Sequence, residues 1–205
     1  MTLPLWSTHQ EVLPHSGTAT LFSDFLDGPA ATRAFDALMR EVVWEEHEIL
    51  LFGKKHAEPR LSSWVGDPGV TYTYSRSPRD PHPWTTTLAA LREACEERSS
   101  TTFNSVLANL YRSGNDAMGW HADDEPELGS QPVIASVSLG EERRFDFRHR
   151  TTGETTSVHL PHGSLLVMAG ETQTNWMHRI ARTKKPLGPR INLTYRHVHL
   201  RPHAQ

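Results

Sequence analysis

At 205 residues, with six Trp, seven Phe and four Tyr and 37% hydrophobic residues, the chain can bury one sizeable core, which excludes a disordered segment. A formal net charge of −3 excludes an overall basic field, so any binding to nucleic acid needs local basic patches. The one cysteine, Cys95, excludes an intrachain disulfide, and no run of about 18 apolar residues marks a membrane span.

The first ~20 residues read as an irregular arm without the basic and apolar regions of a secretory signal, so secretion is not expected. Asp27-Gly28-Pro29 opens a helix: Pro29 suits a first turn, and Phe35, Leu38, Met39 and Val42 keep helical spacing. The apolar run from Glu48 to Phe52 stops at Gly53-Lys54-Lys55. Residues 70–74 alternate as a strand does, and 78–83 is rich in turn residues. Trp84 to Glu97 predicts a second helix with Leu88, Leu91 and Cys95 on one side. Strand-like runs then recur with short turns between them, at 105–111, 133–139, 144–149, 156–160, 164–169, 175–180 and 190–198. Regular short strands point to an antiparallel sandwich or barrel with the two helices covering one sheet. The fold class is therefore α+β, mainly β. It is read as a single domain over 1–205: a jelly-roll core, or double-stranded β-helix, over about 101–198, preceded by an N-terminal extension and recognition portion.

Three segments carry chemistry. In His121-Ala122-Asp123 the imidazole and the carboxylate point to one side of an extended chain and can reach one metal ion. His178, in a late strand, is the best third ligand for a two-histidine, one-carboxylate arrangement that leaves positions open on Fe(II). A His-x-Asp spacing is common by chance in a chain with thirteen His, so it carries little weight alone. In Arg190 to Arg196 the alternation is strict. Arg190, Asn192, Thr194 and Arg196 share one face, and Ile191, Leu193 and Tyr195 the other. The plain alternative is an edge strand with its polar face in water. The chemical reading is that two arginines, which hold carboxylates bidentately, grip a small dicarboxylate. Asn109 and Tyr111 share a face of their own strand and can complete that site.

Taken in order, Asn109-x-Tyr111, His121-x-Asp123-Asp124-Glu125, Ser136 to Gly140, His178 and Pro189 to Arg196 resemble the AlkB family of DNA-dealkylating oxygenases. The resemblance covers about residues 50–198, and within the family Leu51-Phe52-Gly53-Lys54, Tyr72-Thr73-Tyr74, Phe145 to His149 and Lys184-Lys185 resemble the branch acting on double-stranded DNA. It implies a jelly-roll core with a nucleotide-recognition hairpin region, with His121, Asp123 and His178 on Fe(II). It implies Asn109, Tyr111, Arg190, Asn192, Thr194 and Arg196 around 2-oxoglutarate, with O2 as the second co-substrate. Tyr72 and Tyr74 would line the pocket of a flipped base, and Asp124 and Glu125 would face it or fix the loop. Tyr74 stands where a vertebrate member of that branch carries phenylalanine, so stacking survives with an added hydroxyl. Phe52 would act as a wedge beside Gly53 and Lys54, against the alternative of a core residue ending a strand. Arg60, Arg148, His149, Lys184 and Lys185 are candidate phosphate contacts. The implied activity is oxidative removal of methyl, and also etheno, groups from adenine- or cytosine-type bases, with succinate, CO2 and an aldehyde as products. The implied partner is alkylated duplex DNA, bound by a monomer. The location would be cytoplasmic or nucleoid in a bacterium and nuclear in a eukaryote. Three rivals stand beside it: the same chemistry on RNA or single-stranded DNA, a non-catalytic jelly roll that binds a metal or carboxylate, and a hydrolytic zinc site.

Overall fold

The computed structural model describes residues 9–51, 54–70, 72–74, 77–79 and 81–199, with backbone only for 49–51, 54–55, 72–74 and 77–79. The chain opens with strands β1 (His9–Glu11) and β2 (Thr18–Phe22). Asp27 then caps helix α1 (Gly28–Glu41) by accepting from the Ala30 amide, with Pro29 in the first turn, as the sequence signal requires. β3 (Glu45–Leu51) and β4 (Lys54–Gly66) form a hairpin, followed by the short pair β5 (Tyr72–Tyr74) and β6 (Ser77–Arg79). Helix α2 (Thr86–Ser99) starts at Thr85, whose hydroxyl accepts from the Leu88 amide.

The second half supplies β7 (Ser105–Tyr111), β8 (Met118–His121), β9 (Ile134–Gly140), β10 (Arg143–His149), β11 (Thr155–Leu160) and β12 (Ser164–Ala169). The single turn α3 (Thr172–Asn175), β13 (Trp176–Ile180) and β14 (Arg190–Arg196) follow. Eight strands pair in the order β1-β2-β12-β9-β14-β7-β4-β3, and four in the order β11-β10-β13-β8.

Period-two alternation distributes the side chains between two cores. On β14, Ile191, Leu193 and Tyr195 pack with Leu38 of α1 and Leu88, Leu91 and Cys95 of α2, so the helices cover the outer face of the large sheet. Tyr195 donates its hydroxyl proton to the Leu88 carbonyl at 2.9 Å, tying sheet to helix. The inner face contributes Tyr111, Ile134 and Met168 to a second core with Phe145, Phe147, Val158 and Trp176 of the small sheet. The polar face of β14 points into this inter-sheet layer, and every residue of the strand is buried.

Several expectations are corrected. The arm is not irregular throughout, because β2 pairs with β12 and extends the large sheet. The turn-rich segment 78–83 includes part of β6 and a bridge from His82 to Val65. Met39, expected on the buried face of α1, is 39% exposed, because Ala31, Leu38 and Val42 already fill the contact with the sheet. β8 had no sequence signal: Met-Gly-Trp-His is short and does not alternate. The edge-strand alternative for Arg190 to Arg196 fails, since β14 lies between β7 and β9.

Candidate metal centre

The triad is assembled by strand register. β13 pairs with β8 so that His178 stands opposite His121, with ring centroids 4.2 Å apart. Asp123 follows two residues after His121, and its Oδ2 lies 3.9 Å from His178 Nε2. One ligand atom from each of the three lies within 4.8 Å of the others. His121 Nδ1 lies 2.9 Å from the Gly119 carbonyl, which fixes the proton on that nitrogen and leaves the Nε2 lone pair available. Arg196 Nη2 donates to Asp123 Oδ1 at 2.5 Å, and the Asp123 amide donates to Gln173 Oε1 at 2.9 Å. Phe145 stacks on the His178 ring at 5.2 Å.

Electrostatics prepare these groups as ligands. Burial, and then the neighbouring His121, push the His178 imidazole down to about 3. Burial likewise lowers His121, with the Asp123 charge opposing and the Arg196 and Arg60 charges reinforcing the shift. Burial alone would raise the Asp123 carboxyl, but Arg196, His178 and His121 hold it below the usual range. At neutral pH the cluster is thus two neutral imidazoles and one carboxylate. His178 is 2% exposed and its Nδ1 has no hydrogen-bond partner among the described residues. Two nitrogens and one oxygen converging from one side, in a buried pocket, fit a first-row divalent ion with further positions open.

The same cavity is lined by Asn109, Tyr111, Ser136, Asn192, Thr194 and Arg196, from the adjacent strands β7, β9 and β14. Asn192 Nδ2 donates to Ser136 Oγ at 2.8 Å, and Thr194 donates to Asn192 Oδ1 at 3.2 Å. Arg190 is 1% exposed; its Nη2 donates to Ser138 Oγ at 2.9 Å, while Nε and Nη1 find no hydrogen-bond acceptor among the described residues. Its guanidinium lies 5.2 Å from the centroid of the Tyr111 ring, which lines the cavity. Burial pulls it down to about 10, so it stays charged at neutral pH. A buried cation with orphaned donors at one end, and Arg196 beside Asp123 at the other, suit a small dicarboxylate.

The other expected site residues scatter. Asp124 is exposed and accepts from Arg150 Nη2 at 2.6 Å, and Glu125 is half-buried, its Oε2 without a hydrogen-bond partner among the described residues. Lys184 and Lys185 are exposed on the loop before β14, which Thr183 fastens to the β7–β8 turn by a 2.9 Å bond to the Gly114 carbonyl. Arg148 stacks on Trp120 at 4.5 Å, and Arg179 stacks on the same ring at 4.4 Å. Two phosphate assignments are corrected. Arg60 is 4% exposed, ion-paired with Glu58 and hydrogen-bonded to Asn109, and His149 is 8% exposed against Trp176, so neither presents its charge to a ligand outside. Phe52 and Gly53 lie outside the described residues, as do the side chains of Lys54, Tyr72 and Tyr74. Ser136 and Ser138 were missed as site residues, although period two within Ser-Val-Ser places both on the face of Arg190 and Asn192. Gln173 had no signal, since it reaches Asp123 from a distant turn.

Comparison with known proteins agrees with this geometry. The alpha-ketoglutarate-dependent dioxygenase alkB homolog 3 of Bos taurus is 39% identical over 188 residues, 87% of this chain and 65% of the relative. The DNA oxidative demethylase ALKBH2 of Mus musculus is 43% identical over 159 residues, 74% of this chain and 66% of the relative. The chain thus spans just under two thirds of the length of these relatives. Among solved structures, that of OsALKBH1 superposes with a TM-score of 0.66 at 16% identity, covering 93% of this chain and 100% of the other, which establishes the jelly-roll fold. The sequence matches the 2OG-Fe(II) oxygenase superfamily over residues 18–196. Because that match runs from β2 through β14, it takes in both sheets and every ligand of the triad: the chain belongs to the 2OG-Fe(II) oxygenase superfamily, with AlkB homologues among its relatives.

Proposed function

We propose that the chain is an Fe(II)- and 2-oxoglutarate-dependent dioxygenase that removes N-alkyl groups from adenine- and cytosine-type bases in duplex DNA, acting as a monomer. The observation that carries it is the shared cavity: the triad and the arginine-bearing face of β14 meet there, with Arg196 touching Asp123.

His121, Asp123 and His178 would hold Fe(II), which with 2-oxoglutarate and O2 supplies oxidation of the N-alkyl carbon and yields succinate, CO2 and an aldehyde. The chain's residues bind and orient. Arg196 keeps one Asp123 oxygen occupied, leaving the other toward His178, and adds positive charge where a carboxylate would lie. Tyr111 and Asn109 line the cavity and, with Arg190 behind the Tyr111 ring, would receive the remote carboxylate, while the flanking Phe145 excludes water from the His178 side. The preference for duplex rests on the sequence cue at residues 51–54. β3 and β4 pair antiparallel out to Leu51 opposite Lys54, and the sequence between them is Phe52-Gly53.

Oligonucleotides bearing one methylated or etheno base, in duplex and single-stranded form, test this with and without 2-oxoglutarate. Repair and succinate release on the duplex are expected, with Phe52→Ala losing the duplex activity and keeping the single-stranded one. Equal loss on both forms would sink the wedge. A preference for RNA would reassign the substrate, and turnover without 2-oxoglutarate would sink the activity itself.

A further inference from the structure

β4 carries a charge pair that supplies no ligand to the metal centre. Glu58 and Arg60, two residues apart on one face of the strand, are 3% and 4% exposed. Arg60 Nη2 lies 3.0 Å from Glu58 Oε2, and Arg60 Nε donates to Asn109 Oδ1 at 2.7 Å. β4 and β7 are neighbours, with Ser62 opposite Asn109, so the contact is set by sheet register. A buried ion pair is poor evidence of added stability, since desolvation offsets most of its attraction. Its place beside the cavity points to a task there.

A guanidinium can only donate. The Arg60 bond therefore turns the oxygen of the Asn109 amide toward β4, and the hydrogens of Nδ2 are what Asn109 has left to offer. Asn109 lines the cavity that also holds His121, Asp123 and Arg196. With the amide reversed, it would present an oxygen to an incoming carboxylate and repel it. Glu58 in turn offsets part of the Arg60 charge, which still reaches His121.

We propose that Arg60, held by Glu58, is a positioning residue that locks Asn109 with its NH2 as a donor to the carboxylate of a 2-oxoacid in this cavity. The proposal deepens the function given above and rests on it. It also gives β4 a second meaning, because the strand that starts at the β3–β4 hairpin bonds, through Arg60, a residue that lines the cavity.

The test is calorimetric titration of 2-oxoglutarate into Mn(II)-loaded protein without O2, where no turnover occurs. Two variants are compared: the neutral pair Glu58→Gln with Arg60→Met, and Arg60→Lys. The second keeps a charge opposite Glu58 but puts a methylene where Nε donates, and it serves if the neutral pair fails to fold. Each is made with Asn109 and with Asn109→Ala. Loss of one charge-assisted bond is expected to weaken 2-oxoglutarate about tenfold when Asn109 is present. Mn(II) affinity and the thermal midpoint should stay near wild type. In the Asn109→Ala background neither variant should add a further loss. Unchanged affinity in a folded variant overturns the proposal, as does the same factor lost with and without Asn109. Failure of the wild-type protein to bind 2-oxoglutarate would instead sink the proposed function, and this role with it.

Discussion

Each ligand of the triad is held by a different neighbour, and the neighbours differ in what their loss should do. Asp123 is the only charged ligand, so Asp123→Asn is expected to abolish Mn(II) binding by calorimetry and succinate formation on any substrate, with the fold intact by circular dichroism. Retained binding would reassign the metal site. Gln173 acts one step out: its Oε1 accepts from the Asp123 amide, fixing the loop between β8 and the turn at Pro126–Leu128. Loss of such an outer partner typically costs tenfold to a hundredfold in metal affinity. Gln173→Ala should therefore weaken Mn(II) by roughly tenfold or more while leaving the proposed 2-oxoglutarate pocket on β14 in place. Cys95 is the opposite kind of residue. Burial raises its thiol well above the ordinary range, and it packs between α2 and the sheet, so a thiol reagent should label it only after unfolding.

At the scale of the element, β14 does two jobs at once, and they are separable. Leu193 faces the helices and is fully buried, so Leu193→Ala should cost about 2–5 kcal/mol in urea unfolding. Because the polar face looks the other way, 2-oxoglutarate affinity should survive in the fraction that folds. This strand was legible in the sequence because alternation reports faces directly, and so were both helices, through Asp27, Pro29 and Thr85. What alternation cannot report is which face is wet. The polar side of β14 is buried because β7 and β9 flank it and the small sheet covers it, facts of topology rather than of local pattern. Arg60 was misread for the same reason: a charged residue after a basic hairpin signals solvent until Glu58 and Asn109 are known to surround it. β8 and Gln173 were illegible because their roles come only from partners distant in sequence. Gly140, within the segment that resembles the family, has a local reason. Its φ of +87° and the Pro189 carbonyl, 2.4 Å from where a Cβ would stand, leave room for glycine alone.

Over the whole molecule, charge is acidic in sum and basic in places, and both features can be titrated. On the small sheet, burial would raise Asp146, but Ser157, Arg179 and Arg144 hold it below the usual carboxylate range. A depressed folded-state value means stabilisation that is present above the ordinary carboxylate pKa and lost as pH falls through the folded value. Asp146→Asn should thus lower the thermal midpoint at pH 7, and the gap to wild type should close on acidification below about 4. Arg144 and Arg179 beside this carboxylate line one groove with Arg182 and Lys185, and Glu141 and Glu142 line it too. Arg148 and Arg179 flank Trp120, and Lys184 and Lys185 stand exposed on the loop tied to the β7–β8 turn. If this is where a phosphate backbone lies, each lysine releases about one counterion on binding, and the slope of log affinity against log salt should flatten by about one per lysine removed. Lys184→Ala with Lys185→Ala should therefore weaken duplex binding at low salt and leave little difference at high salt, read by fluorescence anisotropy on an unmodified duplex. Arg60→Lys is the internal control, since that buried side chain reaches no phosphate and its slope should match wild type. A wild-type slope in the double lysine variant would move the DNA path elsewhere on the surface, and a flattened slope in Arg60→Lys would mean that β4 opens to the backbone when DNA binds.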